Sequence, residues 1–222
     1  MVMNMPPTSY IPALRYRCLT RFYDPVTRLA TREDAFKPAL LKQAGIQSHH
    51  RILDLGCGTG TLAVMVKRVY PTAEVVGLDA DAEALSLARA KATRDGVEVR
   101  LDHGLASALP YANGSFDRVL SSLFFHHLSL ESKKEGIREI LRVLRLGGEV
   151  HIADWGKPTS IVMRLAFLGV QFLDGFATTA ASVRGVLPDL LWQAGFESVE
   201  MTESFSTLFG TMSLYCARKP PM

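Results

Sequence analysis

Residues 51–60, RILDLGCGTG, form an apolar run that ends in three glycines, Gly56, Gly58 and Gly60. RILDL reads as a buried strand, and TLAVMVKRVY, residues 61–70, has the period of a helix that Pro71 closes. A glycine-rich strand-to-helix turn lets backbone approach a ligand closely. A phosphate-cradling loop of the P-loop kind needs a lysine after its last glycine, and Thr61 follows Gly60 here. A dinucleotide turn needs G-x-G-x-x-G; Thr61 stands where its third glycine belongs, although Asp79 lies at the distance expected of its acidic residue. The spacing G-x-G-x-G, with Asp54 just before it, suits a cationic ligand better than a pyrophosphate.

Outward from this turn, the chain alternates strands and helices. EVVGLD (74–79) is a strand, and DAEALSLARAKATRDG is a helix with Asp81 as N-cap and Gly96 as stop. VEVRLDH (97–103) and FDRVLSSLF (116–124) are strands. ESKKEGIREILRVLR (131–145) is an amphipathic helix with Ile137, Ile140, Leu141 and Leu144 on one face, ended by Gly147 and Gly148, and EVHIADW (149–155) is the next strand. DAFKPALLKQA (34–44) has helical spacing, with Pro38 as a break or a start. SVEMTESFS and TMSLYCARK, separated by LFG, predict a C-terminal antiparallel hairpin. The expected fold is α/β: a Rossmann-like doubly wound sheet, mostly parallel, with that hairpin at its edge. One domain is expected over residues 1–222, with an N-terminal helical arm over 1–45 and a candidate lid over 157–188.

The composition agrees with a globular enzyme-sized domain. Hydrophobic residues are 48% and charged residues 21%. A net charge of +3, without a Lys/Arg run, predicts no nucleic-acid partner. Cys18, Cys57 and Cys216 are widely spaced, so neither a disulfide framework nor a zinc or other metal site is expected, and a cytoplasmic setting follows. No signal peptide is expected near the start. IVMRLAFLGVQFLDGF (161–176) is too short to span a bilayer and is interrupted by Arg164, Gln171 and Asp174; its apolar stripe leaves open core or dimer packing, acceptor binding and peripheral membrane contact.

S-adenosylmethionine has a sulfonium, an ammonium and no pyrophosphate, which matches the demands of the loop. The chain also resembles the class I S-adenosylmethionine-dependent methyltransferases, in particular the branch of the ubiquinone/menaquinone-biosynthesis C-methyltransferases and related small-molecule enzymes. The resemblance runs from FYDPVTR at residue 22 to LYCARK ending at 219. DLGCGTG is similar to the first motif of that family and VVGLDAD to the second, in which the acid ending the strand binds both ribose hydroxyls. GLASALPYANGSFD resembles its G-D-A-x-x-L-P-F-x-x-x-S-F-D segment, and RVLRLGGEVHIAD its R-V-L-K-P-G-G approach to the fifth strand.

The resemblance implies S-adenosylmethionine as cofactor and Tyr23, Asp54, Gly56, Cys57, Gly58, Asp79, Ala80, Leu105, Ala106 and Ser122 as residues that bind it. Leu105 stands where the family has the aspartate that accepts from the adenine amino group, which leaves adenine to backbone at Leu105 and Ala106 and to apolar packing; Asp102 points elsewhere. Leu146 replaces the usual proline of the turn. His126, in SLFFHHL, and Asp154, ending the fifth strand, are the catalytic candidates, since doubly wound sheets present functional groups at strand carboxyl ends. Cys57 is read as a small residue rather than a nucleophile, because no base or activating charge is signalled.

The expected activity is methyl transfer to a small apolar or amphipathic acceptor, such as a quinone precursor or lipid headgroup. Leu105 keeps open a non-catalytic S-adenosylmethionine-binding or membrane-peripheral module. Thr61 disfavours a nicotinamide oxidoreductase, and without an N-P-P-Y-type motif nucleic-acid methylation is not expected.

Overall fold

The computed structural model describes residues 31–158, 160, 163–165, 167 and 185–221. In chain order the elements are α1 (Glu33–Ala44), β1 (Arg51–Leu55), α2 (Thr61–Val69), β2 (Glu74–Asp79), α3 (Ala82–Arg94), β3 (Arg100–His103), β4 (Phe116–Ser122), a 3₁₀ turn (Phe125–His127), α4 (Leu130–Val143), β5 (Leu144–Trp155), α5 (Leu187–Ala194), β6 (Glu197–Thr207) and β7 (Gly210–Arg218). The sheet runs β3-β2-β1-β4-β5-β7-β6. β1 to β5 pair in parallel, while β7 lies antiparallel between β5 and β6. This is the doubly wound sheet with the antiparallel edge hairpin that the sequence predicts.

Alternation along β1 explains the two core layers. Ile52 faces one side and packs with Phe36 and Leu40 of α1 and Leu62 and Val66 of α2. Leu53 and Leu55 face the other, with Ile137 and Ile140 of α4 and Leu190 and Leu191 of α5. Asp54 shares the face of Ile52 and is therefore carried into the layer beneath α1 and α2. The strand order reverses between β1 and β4, which opens the crevice at the strand carboxyl ends where open α/β sheets bind ligands.

Several boundaries differ from the sequence reading. α1 runs through Pro38 rather than breaking there. β3 begins at Arg100, not Val97, and β4 ends at Ser122 because Leu123 turns left-handed (φ 54°). α4 stops at Val143, and Gly147 and Gly148 lie inside β5, where the register with β4 shifts between Phe116 and Arg118. They form a bulge rather than a helix stop: Gly147 (φ 70°) donates to Lys219 O at 3.0 Å, and a Cβ on Gly148 would lie 2.9 Å from Arg145 O. No helix among the described residues is long and apolar enough to cross a membrane. The N-terminal arm up to residue 30 and most of the candidate lid and of the 161–176 segment lie outside the described residues.

Candidate active site

The glycine turn puts its three glycines to three different uses. Gly56 (φ 69°) lies against the Phe124 ring; a Cβ there would fall 2.2 Å from Phe124 Cδ2. Gly60 (φ 75°) lies against α3, where a Cβ would meet Ala88 Cβ at 2.8 Å. Gly58 (φ 52°) has no atom of the described residues within 4 Å of where its Cβ would be. Two glycines therefore let protein pack closely, and the middle one faces open space where a ligand can lie on the backbone.

β2 supplies the second half of the turn. Leu78 O accepts the N–H of Gly56 at 2.8 Å and of Cys57 at 3.1 Å. Asp79 ends β2 half-buried, and its carboxylate is held by two backbone donors, Gly58 N–H at 2.7 Å and Asp81 N–H at 2.9 Å. Burial raises its pKa from the ordinary carboxylate value, opposed by those donors. Asp81 caps α3 as expected, accepting from Glu83 and Ala84 N–H. The Cys57 side chain is turned into the fold against Gly77, where a Cβ would meet Sγ at 2.9 Å; burial pushes the thiol pKa well up.

Asp54 is 1% exposed, and neither carboxylate oxygen has a hydrogen-bond partner within ordinary distance among the described residues. Desolvation pushes its pKa up to about 7, opposed by the Lys37 charge. Two carboxylates thus flank one loop, each with a raised pKa. That field repels a pyrophosphate and stabilises a cation. The residues fit S-adenosylmethionine: a charge deficit for its cationic end, a fixed carboxylate at the end of β2, and a backbone open at Gly58.

The loop after β3 is brought beside Asp79 by Gly104 N–H, which donates to Asp79 O at 3.0 Å. Leu105 is 46% exposed, its carbonyl accepting from Ala108 N–H at 3.2 Å, and Ala106 is half-buried beside it. Asp102 does point elsewhere, to Arg100 and the Tyr111 hydroxyl. Ser122 sits half-buried at the carboxyl end of β4. His103, which sequence reasoning missed, meets Ala80 O through Nε2 at 2.9 Å and ties the ends of β2 and β3. Tyr23 lies outside the described residues.

The two catalytic candidates meet directly. His126 Nδ1 lies 2.7 Å from Asp154 Oδ1, both residues at most 3% exposed. A carboxylate facing it assigns the proton to Nδ1. His126 lies against His127 with ring centroids 3.9 Å apart and the rings tilted by 42°, and burial pulls the His127 pKa down to about 3. Lys133, also missed from the sequence, is buried on α4 with Nζ donating to Leu128 O, and burial lowers its pKa to about 8, opposed by Asp154. Phe125, Lys133, Asp154, Trp155, Tyr215 and the start of α5 line a small apolar cavity here. Nothing in the sequence announced Lys133: a lysine on an amphipathic helix is ordinarily solvated.

The family described as a methyltransferase domain matches residues 52–148, the span from β1 to the bulge in β5. Demethylmenaquinone methyltransferase of Thermus thermophilus is 36% identical, over 80% of this chain and 80% of that one. The ubiquinone/menaquinone biosynthesis C-methyltransferase of Stenotrophomonas maltophilia is 33% identical, over 73% and 72%. Among solved structures, an S-adenosylmethionine-dependent methyltransferase of Aquifex aeolicus superposes with a TM-score of 0.67 at 18% identity, over 91% of this chain and 97% of that one, a likeness of fold. With the glycine turn, the second-strand acid and these relatives together, the chain belongs to the class I S-adenosylmethionine-dependent methyltransferases, in the branch of the ubiquinone/menaquinone-biosynthesis C-methyltransferases.

Proposed function

We propose that this enzyme methylates a small apolar or amphipathic acceptor of the quinone-precursor or lipid-headgroup class. The observation that carries the cofactor half is the Gly58–Asp79 hydrogen bond beside the buried Asp54 carboxylate. In this reading Gly56, Cys57 and Gly58 offer backbone to the cofactor, and Asp79 accepts from its ribose hydroxyls. Asp54 supplies negative charge under its cationic end. Ala80, Leu105, Ala106 and Ser122 flank the adenosine, and Tyr23 closes over it.

Bound S-adenosylmethionine supplies an activated methyl group. The chain's own residues then align the acceptor and exclude water, which is most of what such a displacement needs. The names of the relatives and the aromatic character of the edge beside β5 support an apolar acceptor: Phe125, Trp155 and Phe167 are buried there. An acceptor that is a ring carbon must release a proton, and His126, its Nδ1 held by Asp154, is the residue we assign to receive it.

We assign residues 157–188 as a lid on a single domain, and a cytoplasmic, membrane-peripheral location. Leu165 (60% exposed) and Leu208 (72%) support contact with a lipid surface: Phe167 packs on Trp155 and Gly210, which sets both leucines at the carboxyl edge of the sheet. The test is incubation with methyl-labelled S-adenosylmethionine and membranes that contain a demethylated quinone. Label in the lipid extract is expected. Label that appears only in water-soluble products would end the quinone reading and leave methyl transfer standing.

A further inference from the structure

We infer that Asp154 is a positioning residue for the cofactor loop, acting through the main chain of the β4 turn and the Phe124 ring. The inference rests on the cofactor reading given above. The Asp154 carboxylate is 2% exposed and fully engaged. Oδ1 accepts from Trp155 N–H at 2.7 Å and from His126 Nδ1 at 2.7 Å. Oδ2 accepts from Phe124 N–H at 3.2 Å and His126 N–H at 3.3 Å. A carboxylate with four donors is a clamp, not a proton acceptor.

What it clamps cannot hold itself. Leu123, the residue that leaves β4, has a φ of 54°, a left-handed conformation that costs a non-glycine residue about 1 kcal/mol. Such a conformation persists when its surroundings over-determine it. Here Leu123 N–H donates to Ala153 O at 2.9 Å, and Asp154, the next residue of β5, takes the following amide and the one two residues on. The turn so fixed puts the Phe124 ring where a Cβ on Gly56 would be only 2.2 Å from it. There is no slack between the ring and the glycine loop, so a displaced turn displaces the loop. Groups facing the clamp are His126 from the turn, Lys133 from α4 and Tyr215 from β7.

The experiment compares full-length Asp154→Asn, Asp154→Ala, Phe124→Ala and His126→Gln for S-adenosylhomocysteine affinity by calorimetry and for kcat. Asp154→Ala and Phe124→Ala are expected to weaken binding roughly tenfold or more, since the wall of the loop is lost in both. Asp154→Asn, which keeps one acceptor oxygen, should recover part of the loss. His126→Gln should lower kcat and leave the dissociation constant within about twofold, because the backbone clamp survives. If Asp154→Ala does not fold, Phe124→Ala, which leaves every Asp154 bond in place, carries the test. Wild-type affinity in folded Asp154→Asn and Phe124→Ala proteins would overturn the inference. Failure of the wild-type chain to bind would instead overturn the cofactor reading on which it rests, and the inference with it.

Discussion

Gly58 donates its backbone N–H to Asp79 Oδ2 at 2.7 Å, joining the turn after β1 to the end of β2 across the crevice of the sheet. One hydrogen bond thus fixes both the open glycine and the carboxylate assigned to the ribose. Asp79→Ala orphans the Gly58 amide and removes the acceptor for two hydroxyls. S-adenosylhomocysteine affinity is expected to fall by roughly 10- to 100-fold, with Asp79→Asn between the two. Calorimetric titration checks it, and unchanged affinity removes Asp79 from the site.

Asp54 gives the cofactor-free protein a pH signature. Its carboxyl titrates at about 7 when folded and near the ordinary carboxylate value when unfolded. Between those values the folded chain holds a proton that the unfolded chain has released, so stability falls as pH rises. The loss is on the order of 2–4 kcal/mol, nearly complete above pH 8. Asp54→Asn should be more stable than wild type at pH 8 and lose that advantage at about pH 4, in urea denaturation of the cofactor-free protein. Parallel pH dependences for the two proteins would show that Asp54 is not buried as described.

Gly60→Ala should destabilise by about 1–3 kcal/mol, from a left-handed φ and from the approach of Ala88 Cβ at 2.8 Å. Ala88→Gly relieves the contact and not the φ. A double-mutant cycle should therefore show Ala88→Gly costing less in the Gly60→Ala background than in wild type. Strict additivity would contradict the packing of α2 on α3.

Arg142 of α4 donates to Leu109 O at 2.9 Å, to Tyr111 O at 2.7 Å and to Asn113 Oδ1 at 2.9 Å, and pairs with Glu139. Glu139 in turn accepts from Leu109 N–H at 2.7 Å. Arg142→Ala should cost about 1–3 kcal/mol in thermal or urea unfolding, and Arg142→Lys should recover little, because an ammonium cannot reproduce the guanidinium fork. Full recovery by lysine would mean that charge alone holds the segment.

The sheet was legible because its signals are local. RILDL, EVVGLD and the hairpin of SVEMTESFS and TMSLYCARK carry strand periodicity and turn residues in their own letters, and each is found in place. The boundaries that moved depend on partners distant in sequence. Gly147 and Gly148 read as a helix stop, yet they bulge β5 to keep register with β4 and to meet Lys219. The site divides the same way. Asp79 and the glycines could be named from motif order, whereas the joining of His126 to Asp154, the Phe124 wall at Gly56 and the burial of Lys133 arise only when β4, β5 and α4 pack together.

The central claim, that this loop holds S-adenosylmethionine, is tested most directly by calorimetric titration of the purified wild-type chain with S-adenosylmethionine and S-adenosylhomocysteine, with reduced nicotinamide dinucleotide as comparison. The account predicts saturable one-site binding of both sulfur ligands and none of the dinucleotide. Saturable binding of the dinucleotide, with no heat from either sulfur ligand up to roughly millimolar concentration, about 4 kcal/mol of binding free energy, would contradict it.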